Sequence, residues 1–342
     1  ADAPYATLAK AAEAAPDGAT IYVMSDVEMN QMAWVWEKEL TITSYGVDPV
    51  TLSRGENFHT NADPARQHYN PAMIEVGGET EQGTVSSLIL THIILDDMGK
   101  YEGEYFVQAD SEGDGETTVS RREVPNTSIV QDAIIATYNG IGTITLGDGA
   151  ELRNYGGMSA VRLSGGELIM EEGSAILDTT ENEREKGASG SFGPAGAVWL
   201  QGGILTMNGG TIGGDKGVMM NGRALYADGG TANIGGTIQN IHGTDAAWQG
   251  QNGVAVHLRS HGEATLASTG EITNVTGTNA GNNCAIWTQF CNFTTKAGSK
   301  ISHVDGFQLL YFDDLDNNNY SHEVYLNGTI SECASGSASL LR

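Results

Sequence analysis

Between residues 132 and 312 apolar and polar positions alternate in short bursts, and one burst recurs. Its copies occupy 132–137, 159–164, 196–201, 223–228, 254–259, 284–289 and 307–312. In six of these seven copies the second residue is alanine and the third is aliphatic. A second strand-like piece closing on glycine follows most copies, at 166–173, 203–210, 230–236 and 262–270, with a further one at 291–298. A third piece comes next, as in Thr237-Ile-Gln-Asn-Ile241 and Glu271-Ile-Thr-Asn-Val275. Three short strands per repeat, punctuated by Gly and Asn, predict the coils of an all-β, right-handed parallel β-helix.

Alternation within the strand says what each coil presents. Successive side chains of a strand point to opposite faces. If the aliphatic third and fifth positions fill the core (Val161 and Leu163, Val198 and Leu200, Val256 and Leu258), the fourth and sixth face solvent. Down the copies, the fourth position reads Ile135, Arg162, Trp199, Tyr226, His257, Trp287 and Leu310. The sixth reads Thr137, Ser164, Gln201, Asp228, Arg259, Gln289 and Phe312. Coils stack about 4.8 Å apart, so these columns make a strip roughly 20–25 Å long.

Outside the repeat, residues 5–15 are alanine-rich and helix-forming, stopped by Pro16-Asp17-Gly18. A short helix within 1–18 is expected to cap the open N-terminal end of the solenoid. Strands are expected at 19–24, 38–45, 72–76 and 87–95, with 25–37 as a connector carrying Trp34 and Trp36. The polar stretch 46–73 and the acidic, Gly-rich stretch 96–122 read as protruding loops, and the regular coils as 132–312, all within one domain, 1–342.

Composition narrows the partners. The chain of 342 residues has 46 Gly and a charged fraction of 18%, which favours strand and turn over helix. Seventeen basic against forty-three acidic residues give a net charge of −26, which argues against nucleic acid and anionic membranes. No window approaches the ~18 apolar residues of a membrane helix. Residues 1–20 lack the order of a signal peptide, so the N-terminus reads as a mature end or as a boundary cut within a longer chain. Three cysteines (Cys284, Cys291, Cys333) cannot all pair within the chain, and Cys284 and Cys291 fit a buried ladder as well as a disulfide.

The opening PYATLAKAAEAAPDGATIYVMSDVEM, with KELTITSYG after it, resembles the start of pectate-lyase-like right-handed β-helix modules of exported and wall-attached bacterial proteins, adhesin-like proteins among them. GAVWLQGGILTMNGGTI and GRALYADGGTANIGGTI are similar to rungs of those modules. The resemblance spans nearly the whole chain and implies a secreted or cell-surface β-helix; a monomer is expected. Polysaccharide lyases, glycoside hydrolases and non-catalytic modules all share that fold, so it leaves the activity open.

The strip carries the candidate chemistry. Trp199, Tyr226 and Trp287 offer flat faces for sugar rings, and Arg162, Gln201, His257, Arg259 and Gln289 offer hydrogen bonds to hydroxyls. A carbohydrate, such as a host glycan, is the expected partner. The competing reading is that the rings pack beneath the loops at 179–194, 215–222, 242–252 and 276–283. A glycoside hydrolase on the same face would use Asp228 as one of two carboxylates, with Asp178 or a loop acid as the second. A lyase is disfavoured, because a chain of net charge −26 repels polyanions unless a local basic strip offsets it. A structural spacer is the third reading. No cofactor is required, although Ca²⁺ is possible at Asp314, Asp316 and Asn318, where oxygen ligands alternate; Asp110–Asp114 starts a similar loop, but Arg121 stands where its last acid belongs.

Overall fold

The computed structural model describes residues 4–59, 72–78, 86–99, 106–111, 117–122, 133–138, 140–180, 196–243, 253–277, 284–306, 308–312 and 323–335. Three parallel sheets account for nearly all of it. Sheet A starts with Ala19–Val23 and Glu39–Ser44 and ends with Val324–Leu326; sheet B starts with Val27–Gln31 and Val50–His59 and reaches Thr329–Ser331; sheet C runs from Ala33–Trp36 to Gln308–Phe312. The chain visits A, B and C in turn and returns to A one coil further on. This is the expected right-handed parallel β-helix.

The coils start earlier than the sequence pattern indicated. They begin at Ala19, not at residue 132, because the first strands pair in register with the later ones, as in Leu40 with Leu88 and Leu88 with Ile144. The expected connector at 25–37 holds a sheet B strand, Val27–Gln31, and a sheet C strand, Ala33–Trp36. The expected single strand at 87–95 is two, Ser87–Thr91 and Ile93–Asp96, with His92 at φ +49° turning the corner between them. Within the expected loop at 46–73, Val50–His59 is a strand of sheet B. Within that at 96–122, Phe106–Ser111 and Thr117–Arg122 pair as an antiparallel hairpin.

Leu8–Ala14 is the expected helix, shorter than the alanine-rich stretch. Thr7 Oγ1 accepts from Lys10 N at its start, and Leu8 and Ala12 join the main core. Lys38 Nζ donates to the carbonyls of Ala12, Glu13 and Ala15 at 2.9, 3.2 and 2.9 Å. A cation on the last orphan carbonyls satisfies them and opposes the negative end of the helix dipole.

The core is a column of aliphatic layers. Leu40, Leu88, Ile144, Leu168, Leu205, Ala232, Ala264 and Phe293 follow one another up sheet A, all buried. Sheet C departs from simple alternation. Ala160 N and Val161 N both donate to Ala197 O at 2.9 Å, a bulge-like kink that leaves two successive residues facing inward. Ala160 with Val161, Ala197 with Val198, Ala224 with Leu225, Ala255 with Val256 and Ala285 with Ile286 all lie in the core. The recurrent alanine is therefore the small residue that fits the crowded inner corner of each kink.

Sheet B bends at left-handed positions. Asn240 and Asn274 have φ of +55° and +53°, tolerable for Asn because its side chain bonds locally. Asn240 Nδ2 donates to Gly214 O at 2.8 Å, and Asn274 Nδ2 to Asn240 Oδ1 at 2.7 Å, a short ladder along the coils. The Asn274 side chain is thus engaged within the fold. All three cysteines are free thiols, with Cys284 and Cys291 buried.

Replacing the fully buried Ala255 by Leu overfills the kink, and chemical denaturation is expected to show a loss of about 1–3 kcal/mol. Thr145→Val, on the outer face of sheet A, is expected to stay within about 0.5 kcal/mol of wild type.

Candidate functional site

Parallel pairing turns one position of each sheet C strand into a column. In register it reads Trp34, Glu75, Ala136, Arg162, Trp199, Tyr226, His257, Trp287, Tyr311. Five of these nine match the fourth-position column expected from sequence. The first and last copies are corrected by one residue: Ala136, not Ile135, pairs with Arg162, and Tyr311, not Leu310, pairs with Trp287. Ile135 and Leu310 are core residues instead.

The five rings from Trp199 to Tyr311 form a ladder. Trp199 and Tyr226 centroids lie 6.3 Å apart, Tyr226 and His257 5.0 Å, and Trp287 and Tyr311 5.5 Å. His257 and Trp287 stack at 4.1 Å and 6° between planes. Pairs of this kind contribute about 0.5–1.5 kcal/mol each beyond burial. The rings stand outside the main core, in apolar clusters with Met158 on one side and Val254 and Cys284 on the other.

The expectation that this column faces solvent is overturned. Trp199, Tyr226, His257 and Trp287 are only 6, 8, 3 and 8% exposed, and Arg162 only 6%. The rings turn their faces to one another, which is what stacking along coils about 4.8 Å apart requires of them. A flat platform for sugar rings is therefore not what the column offers. Its edges are different: Trp199 Nε1, Trp287 Nε1 and both ring nitrogens of His257 are buried without a hydrogen-bond partner among the described residues. Gln289 approaches the imidazole without satisfying hydrogen-bond geometry.

Three arginines attend the ladder. The Arg162 guanidinium lies 4.7 Å from the Trp199 ring, and its Nε and Nη2 donate to Gln201 Oε1 at 3.0 and 2.8 Å. Arg223 opens its sheet C strand, and the kink brings its guanidinium over Tyr226 at 5.1 Å and Trp287 at 5.8 Å. Arg259, exposed, donates from Nη1 to Tyr226 Oη at 3.0 Å. Burial pulls Arg162 and Arg223 each down to about 10, so both remain charged at neutral pH. Burial, reinforced by the Arg223 and Arg259 charges, holds His257 well below the usual histidine value, so its ring is neutral. Burial also pushes the Cys284 thiol up and Cys291 up to about 11, leaving both protonated.

Gln201, Asp228, Arg259 and Gln289 border the ladder at the corner leading to sheet A, as expected, and Asp228 pairs in register with Arg259. Asp228 accepts a hydrogen bond from Ser260 Oγ. Asp178 does not meet it. It ends a sheet B strand, one coil earlier and at the opposite border of sheet C, next to the start of the 179–197 connection. A sheet C strand of five or six residues places those borders roughly 15–20 Å apart, beyond the ~9.5 Å limit of an inverting carboxylate pair. The other carboxylate of the column, Glu75, lies four coils below Asp228, roughly 19 Å along the axis. Asp314, Asp316 and Asn318 lie outside the described residues, and among those described no group of three or more His, Cys, Asp or Glu is arranged to hold a metal. Among the described residues no helix is long and apolar enough to cross a membrane.

Alternation alone could not have found Arg223 or Cys284, since it places the first position of each copy inward and the kink reverses it. Tyr311 was findable: aligning Leu309-Leu310 with Ala285-Ile286 puts it beside Trp287. The three longest connections, 60–71, 97–132 and 179–197, each join a sheet B strand to a sheet C strand. Comparison with protein-family models, with curated proteins and with solved structures gave no match, so any function rests on this geometry.

A histidine held neutral by burial sets a pH dependence. Below its unfolded value of about 6.5 the unfolded chain takes up a proton that the folded chain refuses, so stability falls as pH falls. Between pH 6.5 and 5.5 wild type is expected to lose on the order of 1 kcal/mol more than His257→Gln, measured by urea denaturation. Equal losses would show that His257 is not the group responsible.

Proposed function

We propose that this chain is a non-catalytic β-helix module of an exported or surface-attached protein, and that it docks an extended carbohydrate along the outer face of sheet C. The observation that carries the reading is the aromatic ladder from Trp199 to Tyr311 bordered by Gln201, Asp228, Arg259 and Gln289 on one outer face. Stiff rings fix the strands, and the border supplies a few placed donors and acceptors, as a ligand site needs. The sugar meets this polar border rather than the buried rings. An elongated groove of repeated rungs suits a polymer, because each coil repeats a contact about 4.8 Å from the last.

A hydrolase is the weaker reading, since Asp228 keeps company with Ser260 and Arg259 while Asp178 and Glu75 stand beyond the span of a carboxylate pair. The spacer reading has one observation in its favour: the rings are spent on one another and buried, which stiffens a rod.

The border separates these readings, provided the variant keeps the wild-type melting transition, since Arg259 and Gln201 also bond Tyr226 and Arg162. A Gln201→Ala, Arg259→Ala, Gln289→Ala triple variant is expected to lose ten-fold or more in retention on an immobilised polysaccharide panel, each lost hydrogen bond contributing about 0.5–1.5 kcal/mol. Asp228→Asn is expected to retain binding, and wild type to release no reducing ends. Reducing ends that depend on Asp228 would establish a hydrolase, and an absence of glycan retention by wild type would leave the spacer.

A further inference from the structure

The turns from sheet C to sheet A follow one plan and break it in one coil. Glu167, Ile204, Thr231, Glu263 and Asn292 share one register position of sheet A. Two residues link that position to Ser164, Gln201, Asp228 and Gln289 in their coils, but three, Ser260, His261 and Gly262, link Glu263 to Arg259. The first linking residue is left-handed each time: φ is +80° at Gly165 and Gly202, +81° at Gly229 and +56° at Phe290. In the longer turn Ser260 and His261 are both left-handed, at +51° and +65°, where an L side chain is strained. Strain of this kind persists only where the surroundings enforce it, and it gathers at ligand sites. The enforcing contacts are these. Ser260 Oγ donates to Asp228 on the coil below, Gly262 N donates to Arg259 O at 2.9 Å, and the backbone of His261 and Gly262 reaches the buried Cys291 thiol on the coil above.

The longer turn stands beside an open floor. The two coils below it turn on bare glycine: a methyl group added at Gly202 would meet no atom within 4 Å, and at Gly229 none nearer than 3.7 Å. Arg259, Ser260 and His261 are exposed and Asp228 is half-buried, so solvent reaches all four, unlike the rings of the ladder. Their chemistry is mixed. An ionised carboxylate has about four acceptor sites, and Ser260 supplies the one hydrogen bond that Asp228 takes among the described residues. Arg259, which only donates, stands in register with Asp228 one coil on, about 4.8 Å along the axis. An anion would be repelled by Asp228 and a cation by Arg259, whereas a hydroxyl group can donate to the carboxylate and accept from the donors beside it. We infer that the Ser260–His261 turn, with Asp228 and Arg259, is a subsite that reads two adjacent hydroxyls, a vicinal diol, on a sugar unit lying over Gly202 and Gly229. This rests on the carbohydrate-binding reading and adds where on the border recognition is decided and which group of the sugar decides it.

The test compares retention on neutral polysaccharides before and after periodate oxidation and borohydride reduction, which cleave vicinal diols and leave the chains uncharged. Wild type is expected to lose ten-fold or more in retention on the treated form. The Ser260→Gly, His261→Gly double variant carries the residue that neighbouring coils use at such turns. It is expected to melt within about 2 °C of wild type and to lose ten-fold or more on untreated polysaccharide. Asp228→Ala is expected to lose as much, while Asp228→Asn keeps an acceptor and with it the binding. Wild type held equally well by treated and untreated polysaccharide overturns the inference, and it does so whether or not any variant folds. Full retention of the folded double-glycine variant, or of folded Asp228→Ala, overturns it too. In each of these cases wild type still binds, so the carbohydrate reading survives without the subsite. If no untreated polysaccharide retains wild type, the carbohydrate reading falls and takes the subsite with it.

Discussion

Parallel in-register stacking of the coils governs everything else in this protein. Each strand pairs with the same strand of the next coil, so one sequence position becomes a column about 4.8 Å in pitch. Aliphatic columns close the core, from Leu40 to Phe293 on sheet A. The same rule acting on the outer position of sheet C stacks Trp199, Tyr226, His257, Trp287 and Tyr311 into a ladder. Rings at that spacing must meet face to face or edge to face, so their faces are spent on one another.

The fold was legible because its signal is repeated. Ala-aliphatic pairs, glycine turns and left-handed Asn recur, and each copy corroborates the others. The early coils were harder to see, since long connections at 60–71 and 97–132 interrupt them and their sheet C strands lack the full pattern. The column is legible in its middle and shifted at its ends, where the pattern puts Asp132 and Phe307 in first position and the register lies one residue along. What sequence could not reveal is the kink at Ala160 and Val161, a matter of which N–H finds which carbonyl. That kink turns Arg223 outward, over Tyr226 and Trp287. Burial was equally hidden, because a residue's being on the outer face of a strand does not make it wet.

Charge contrast links the fold to the proposed role. An acidic rod stays soluble and repels polyanions in general. Within it Arg162 and Arg223 are drawn over aromatic rings, where partial desolvation lowers both to about 10 without discharging them. His257 stays neutral in the same surroundings because it is buried and two guanidinium charges oppose its protonation. The result is a narrow donor-rich strip, bordered by Gln201, Asp228, Arg259 and Gln289 at the corner leading to sheet A.

The central claim is that ligand recognition belongs to the outer face of sheet C and to no other surface. Hydrogen–deuterium exchange with and without a retained polysaccharide tests it most directly. Added protection is expected in Val198–Leu200, Arg223–Asp228, Val254–Arg259 and Cys284–Thr288 and in the turns that follow them. Protection centred on the strands of sheet A or sheet B, with sheet C unchanged, would contradict the account.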